Sequence, residues 1–211
     1  MTQLAILLFD GLTALDAVGP YEVLSRMPGV DLHFVAAEPG VKRSDNGLLA
    51  MVADRSIDDV PRPDVVLVPG GHGEVRVRED EHVLDWLRTA HETTRFTTSV
   101  CTGSLVLAKA GLLEGVRATT HWTGMDELGR LGALPVHERV VREGKIITAA
   151  GVSSGIDMAI TLAAELAGEE VAQAIQLSIE YDPQPPFDAG SQYTAPAHVV
   201  EHQRKNSRFA P

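Results

Sequence analysis

A chain of 211 residues, 44% hydrophobic and 22% charged, is long enough to bury one continuous core and has the composition of a globular protein. Its 18 Lys and Arg against 29 Asp and Glu leave a net charge of −11, which excludes the basic stripe that nucleic acid demands and gives no attraction to an anionic membrane. One cysteine allows no internal disulfide, no apolar run approaches the ~18 residues of a membrane span, and the start MTQLAILLFDGL lacks the basic region of a signal peptide, so a cytoplasmic protein is expected.

Residues 4–9 form a continuous apolar run closed by Asp10-Gly11, the pattern of a strand buried on both faces. Residues 13–27 carry helical spacing that Gly19-Pro20 interrupts, which predicts a short turn and then a helix opening near Pro20. Residues 31–37 are a second strand, and 47–52 a weaker one suited to an edge or a hairpin. Residues 64–68 are the cleanest strand and run straight into Pro69-Gly70-Gly71. Helical periodicity returns over 79–92, residues 97–100 form a strand leading into Cys101, and 102–110 read as a helix stopped by Gly111. Residues 116–120, 138–142 and 145–149 are strands, the last two joined by a turn at Glu143-Gly144, and two helices follow over 154–167 and 169–181. This alternation predicts an α/β fold with a single doubly wound, mostly parallel sheet flanked by helices. Residues 1–181 make one domain. Residues 182–211, rich in Pro, Asp and Ser, make a partly extended C-terminal arm with a frayed basic end, suited to a subunit interface.

Cys101 stands in Ser99-Val100-Cys101-Thr102-Gly103-Ser104, where a strand meets a helix. A residue on such a turn is thrust above the sheet, at the N-terminus of the next helix, whose unpaired N–H groups favour a thiolate. The small Gly103 and Ser104 allow the close backbone approach that an elbow requires, and doubly wound sheets bind ligands at the carboxyl ends of their strands. Position alone leaves two readings, a nucleophile or a buried structural cysteine. Pro69-Gly70-Gly71-His72-Gly73 follows another strand, and its N–H groups either face a developing anion or make a simple flexible turn. Asp16, set among apolar neighbours, is either a buried acid of raised pKa sharing a proton with a nearby group or a helix N-cap. Of the eight histidines, His72 and His121, the latter in Thr119-Thr120-His121-Trp122, are active-site candidates; His198 and His202, four apart in the arm, read as surface residues. With no metal-ligand spacing and no nucleotide-binding glycine motif, neither a metal nor a cofactor is expected.

These motifs, in this order, resemble the ThiJ/PfpI superfamily, whose flavodoxin-like fold is similar to that of class I glutamine amidotransferases. Leu15-Asp16 with Gly19-Pro20, Cys101-Thr102-Gly103-Ser104, Ala118-Thr119-Thr120-His121-Trp122, the stretch 151–157 and the ending 180–191 resemble its isonitrile (isocyanide) hydratase branch. Thr-Thr-His-Trp also resembles the amidotransferase-like half of certain transcription regulators, whose added helix-turn-helix domain the short, Pro-rich arm does not supply. Glyoxalase and deglycase branches usually carry Glu where Asp16 stands. The resemblance implies that Cys101 attacks the terminal carbon of R–N≡C, that Asp16 moves the proton, and that Thr102 orients Asp16 or the substrate. It further implies that N–H groups at Gly71 and around Val152 stabilise charge near the sulfur, that the substrate is a small molecule contacting His72, His121 and Trp122, and that the protein is a homodimer. His72, directly after the glycine pair, does not belong to the hydratase pattern. The alternatives are an enzyme acting on α-oxoaldehydes, or a redox sensor in which Cys101 oxidises. A peptidase is the weakest reading, since no histidine is obviously set to pair with Cys101.

Overall fold

The computed structural model describes residues 1–209. The first apolar run becomes β1 (Thr2–Leu7), followed by α1 (Ala14–Leu24), β2 (Val30–Ala36), β3 (Gly40–Arg43), β4 (Ala50–Ala53), β5 (Arg55–Ser56) and β6 (Val65–Val68). Next come α2 (Glu74–Val77), α3 (Glu81–Thr93), β7 (Phe96–Val100), α4 (Gly103–Lys109), β8 (Arg117–Ala118), α5 (Met125–Arg130) and β9 (Leu134–Pro135). The chain continues through β10 (Val140–Glu143), β11 (Ile146–Ala149), α6 (Ser154–Ala167), α7 (Glu169–Ser178) and, within the arm, α8 (Ala197–Lys205).

Seven strands form the central sheet in the order β10-β11-β7-β6-β1-β2-β5. Only the β10–β11 pair is antiparallel, closed by the turn at Glu143-Gly144. β6 and β7 are buried at every residue because helices cover both faces, which is why β6 reads as an unbroken rather than an alternating apolar strand. α1, α6 and α7 pack as one layer, while α3 and α4 pack together as the other. The parallel register sets Ile6 beside Leu67, Val68 beside Ser99, and Val100 beside Ala149. The loops leaving β1, β6, β7 and β11 therefore emerge side by side, at the edge where a doubly wound sheet binds ligands.

Two expectations change. α1 runs unbroken through Gly19-Pro20, with the proline inside the helix. Both residues are buried against α6: a Cβ on Gly19 would lie 3.0 Å from Ile156 Cγ1, and one on Gly155 would lie 3.3 Å from Pro20 Cγ. Close helix packing outweighs the hydrogen bond that Pro20 cannot donate. The strand expected over 116–120 shrinks to β8, which pairs only with β9 in an outlying ribbon. The weak strand expected over 47–52 holds as β4, in a hairpin with β3. α2 and α5, only one or two turns long, have no periodic signal to read.

Candidate active site

Cys101 sits immediately after β7 in the left-handed region, with φ of 57°. That conformation costs a non-glycine residue on the order of 1–3 kcal/mol and persists only where its surroundings hold it. Here they do. Its N–H is shared between the carbonyls of Ala149 (3.0 Å) and Ala150 (2.8 Å), and its carbonyl accepts from Thr120 Oγ1 (3.0 Å) and Ser104 Oγ (3.3 Å). The neighbouring glycines are equally constrained. A Cβ on Gly103 would run into the Val68 carbonyl, and one on Gly70 would stand 3.0 Å from Cys101 Cβ and 2.5 Å from the Thr102 nitrogen. The elbow after β7 and the glycine loop after β6 thus interlock.

Asp16 lies in the first turn of α1 and is fully buried. The N-cap position belongs to Thr13, so the capping reading of Asp16 does not hold. Its Oδ2 accepts from the Gly70 N–H at 2.8 Å, while Oδ1 has no hydrogen-bond partner of ordinary geometry among the described residues. The carboxyl group lies near enough to the Cys101 thiol for each to shift the other's titration. Burial pushes the Asp16 pKa up to about 7, against the pull of the Gly70 N–H and the thiol and with a further push from the Asp45 charge. Burial also drives the Cys101 thiol far above its ordinary range, and the Asp16 charge adds to the rise; the N–H groups of Thr102 and Val152 and the charge of Arg208 oppose it. The expected helix-terminus effect on the sulfur is present, but desolvation of a thiol only 5% exposed is larger. At rest the pair therefore holds the sulfur as a thiol beside an acid that changes charge near neutrality.

Thr102 Oγ1 accepts from the Gly71 N–H at 3.1 Å, which leaves the hydroxyl proton free to donate. The Gly71 N–H is accordingly engaged by Thr102, and the N–H groups that lower the thiol's pKa are those of Thr102 and Val152. His121 is held by Thr123, whose Oγ1 lies 2.8 Å from Nδ1, and packs on the loop after β11: a Cβ on Gly151 would stand 2.9 Å from its Cδ2. Burial and Arg208 lower its pKa, so the ring is neutral at pH 7. Its ring and that of Trp122 lie tilted, with centroids 5.9 Å apart. No hydrogen bond joins His121 to Cys101 among the described residues.

All the candidate residues except Asp16, which is buried beside Cys101, line one cavity of about 360 Å³, within the range of small-molecule sites. His72 is exposed at its rim. Sequence reasoning missed two contributors. Asp45, in the turn between β3 and β4, lines the cavity and accepts from Thr13 Oγ1 at 2.8 Å. The end of the arm, from Asn206 to Phe209, also lines it, and no local pattern signals that residues so far along the chain return to Cys101. His198 and His202 lie on exposed α8, and no group of three or more His, Cys, Asp or Glu able to hold a metal occurs among the described residues. Among those residues no helix is long and apolar enough to cross a membrane. The arrangement offers a nucleophile, an acid–base partner of pKa near 7, two N–H groups at the sulfur and a free hydroxyl proton.

The sequence profile of the DJ-1/PfpI family matches residues 2–165. The chain is 48% identical over 209 residues to an isonitrile hydratase of Pseudomonas putida, covering 99% of this chain and 90% of that one. It is 30% identical over 178 residues to the HTH-type transcriptional regulator CdhR of Pseudomonas aeruginosa, covering 82% of this chain but only 52% of the regulator. Its structure is similar to the crystal structure of a THiJ/PfpI family protein from Pseudomonas syringae, with a TM-score of 0.93 and 39% identity over 96% of this chain and 84% of that one. By profile, sequence and fold together, the chain belongs to the DJ-1/PfpI family.

Proposed function

We propose that the protein is a cofactor-independent hydro-lyase that adds water to isonitriles, R–N≡C, and releases N-substituted formamides. The observation that carries this reading is the buried pairing of the Cys101 thiol with the Asp16 carboxyl group beside one small cavity. Hydration of an isonitrile places a nucleophile and a proton on the same terminal carbon, so the acid has to stand beside the nucleophile. Similarity to the Pseudomonas putida isonitrile hydratase over nearly the whole chain supports the same assignment.

Asp16 takes the thiol proton as the sulfur bonds to the terminal carbon, then delivers it to that carbon, giving the thioimidate R–N=CH–S–Cys101. Because burial holds the thiol protonated, proton transfer accompanies C–S bond formation rather than preceding it. The N–H groups of Thr102 and Val152 stabilise the negative charge that develops on sulfur. Water adds to the thioimidate carbon and a proton goes to nitrogen, forming R–NH–CH(OH)–S–Cys101. The C–S bond then breaks, the hydroxyl proton returns to sulfur through Asp16, and R–NH–CHO leaves. A pKa of about 7 suits a group that must accept and return a proton near neutrality. Thr102 donates its hydroxyl proton toward the substrate, and His72, His121, Trp122 and the Gly71 backbone shape the cavity around R. The protein acts as a cytoplasmic homodimer in this reading; light scattering that finds only the 22.6 kDa monomer at micromolar concentration would refute the dimer.

The test is purified protein mixed with a simple aromatic isonitrile, with formamide followed over time beside the Cys101→Ala variant. Turnover by the wild type that vanishes in the variant is the expected result. A folded wild type that forms no formamide overturns the reading and directs the search to α-oxoaldehydes, assayed as loss of methylglyoxal.

A further inference from the structure

The end of the arm lies over the Cys101 cavity, and its attachment is built into the body of the protein. Glu74, in the first turn of α2, is fully buried. One carboxylate oxygen, Oε2, is 2.6 Å from Arg78 Nε; the other, Oε1, accepts from Arg208, which comes from 134 residues further along the chain. Burial raises the Glu74 pKa and both arginines oppose that rise. A carboxylate sealed from water that loses one of two cationic partners is left with an unpaired oxygen, so the seat strongly favours a docked Arg208. From the same guanidinium, Nη1 reaches the carbonyl of His72 at 3.4 Å, tying the arm to the loop after β6. The Arg208 side chain is only 22% exposed and lies over the ring of Phe209, 4.5 Å from its centroid. Phe209 in turn packs at Gly124, where a Cβ would meet its ring at 3.5 Å.

Among the described residues little else holds this segment. α8 buries none of its residues, and a cavity of about 1190 Å³ separates it from the body. A further contact is made by Arg204, which lies 5.6 Å from the centroid of the Trp122 ring and donates to Gln192 Oε1 at 2.9 Å. Ser207, Arg208 and Phe209 all line the cavity that holds Cys101.

We propose that Arg208, seated on buried Glu74, is a specificity-determining residue: it holds Ser207–Phe209 as one wall of the Cys101 cavity and so limits the size of the R group admitted to the thiol. The proposal rests on Cys101 being the reacting group of the proposed hydratase. It also makes sense of His72, whose backbone carbonyl serves the latch while its side chain sits at the rim.

The chain has a single cysteine, so access to the cavity can be read without substrate. Wild type, Arg208→Ala, Arg208→Lys and a chain ending at Asn206 are each alkylated with N-methylmaleimide and with the bulkier N-phenylmaleimide, and labelling rates are followed by intact mass. Any change in thiol reactivity scales both rates alike, so the ratio of bulky to small reagent reports the wall alone. In the truncated chain and in Arg208→Ala the ratio is expected to rise about tenfold, corresponding to about 1.4 kcal/mol of lost exclusion. Arg208→Lys, which keeps the charge on Glu74, is expected to fall between them and the wild type. An unchanged ratio in both the truncation and Arg208→Ala, with circular dichroism showing folded protein, overturns the proposal, and so does an equal acceleration of both reagents. If the ratio moves while no isonitrile is hydrated, the wall stands and the hydratase assignment falls.

Discussion

Asp16→Asn separates the chemical use of the carboxylate from its energetic burden. The raised pKa means that the native protein resists ionising Asp16 until about pH 7, whereas an unfolded chain ionises it near 3.8. A difference of that size, at about 1.4 kcal/mol per unit, corresponds to about 4 kcal/mol at high pH. The native state binds the proton more tightly than the unfolded state, so this contribution is intact below pH 3.8, is lost as pH rises through about 7, and is constant above that. Asparagine keeps the shape and still accepts from the Gly70 N–H, but it never ionises. Its stability relative to wild type should therefore grow by about 2–4 kcal/mol between pH 4 and pH 8, as the wild type alone pays for a buried charge. Urea unfolding of both proteins at a series of pH values measures the difference, and other titrating groups cancel in the comparison. Turnover should fall by about 10²–10⁴-fold, since no group remains to carry the proton. A stability difference that is flat from pH 4 to 8 would refute the buried-acid account, and wild-type turnover in the variant would remove Asp16 from the chemistry.

Two further outcomes follow from the same geometry. Thr102→Val removes the acceptor of the buried Gly71 N–H and should destabilise the protein by about 1–3 kcal/mol in urea unfolding, while Thr102→Ser restores both stability and turnover. Cys101→Ala loses turnover yet keeps the left-handed turn, whose backbone hydrogen bonds do not involve the sulfur; its thermal midpoint should stay within about 4 °C of the wild type. A larger fall would assign the side chain a structural role.

The backbone of this protein was legible wherever local physics decides. Residues 4–9 read as a strand buried on both faces because six consecutive apolar side chains leave no face for water, and they are buried throughout. The elbow at Ser99–Ser104 was legible because a strand ending on small residues before a helix has few conformations open to it. Gly19-Pro20 misled for the opposite reason: their local preference for a turn is weaker than the packing of α1 on α6, which no window of sequence around residue 20 contains.

The site divides along the same line. That Cys101, Asp16 and the glycine loop follow three strands can be read from the chain, because each motif comes after a segment with the pattern of a strand. Their electrostatics cannot. The direction of the Cys101 shift depends on full desolvation and on a carboxylate 85 positions away, both of which outweigh the local N–H groups that sequence reasoning could count. The engagement of Gly71 by Thr102, and the return of Arg208 to Glu74, likewise join residues distant along the chain. Sequence alone determined which groups were available at which strand ends. Only the tertiary structure decided their protonation, their partners and the wall above them, because burial and Coulomb energy depend on distance through space and not along the chain.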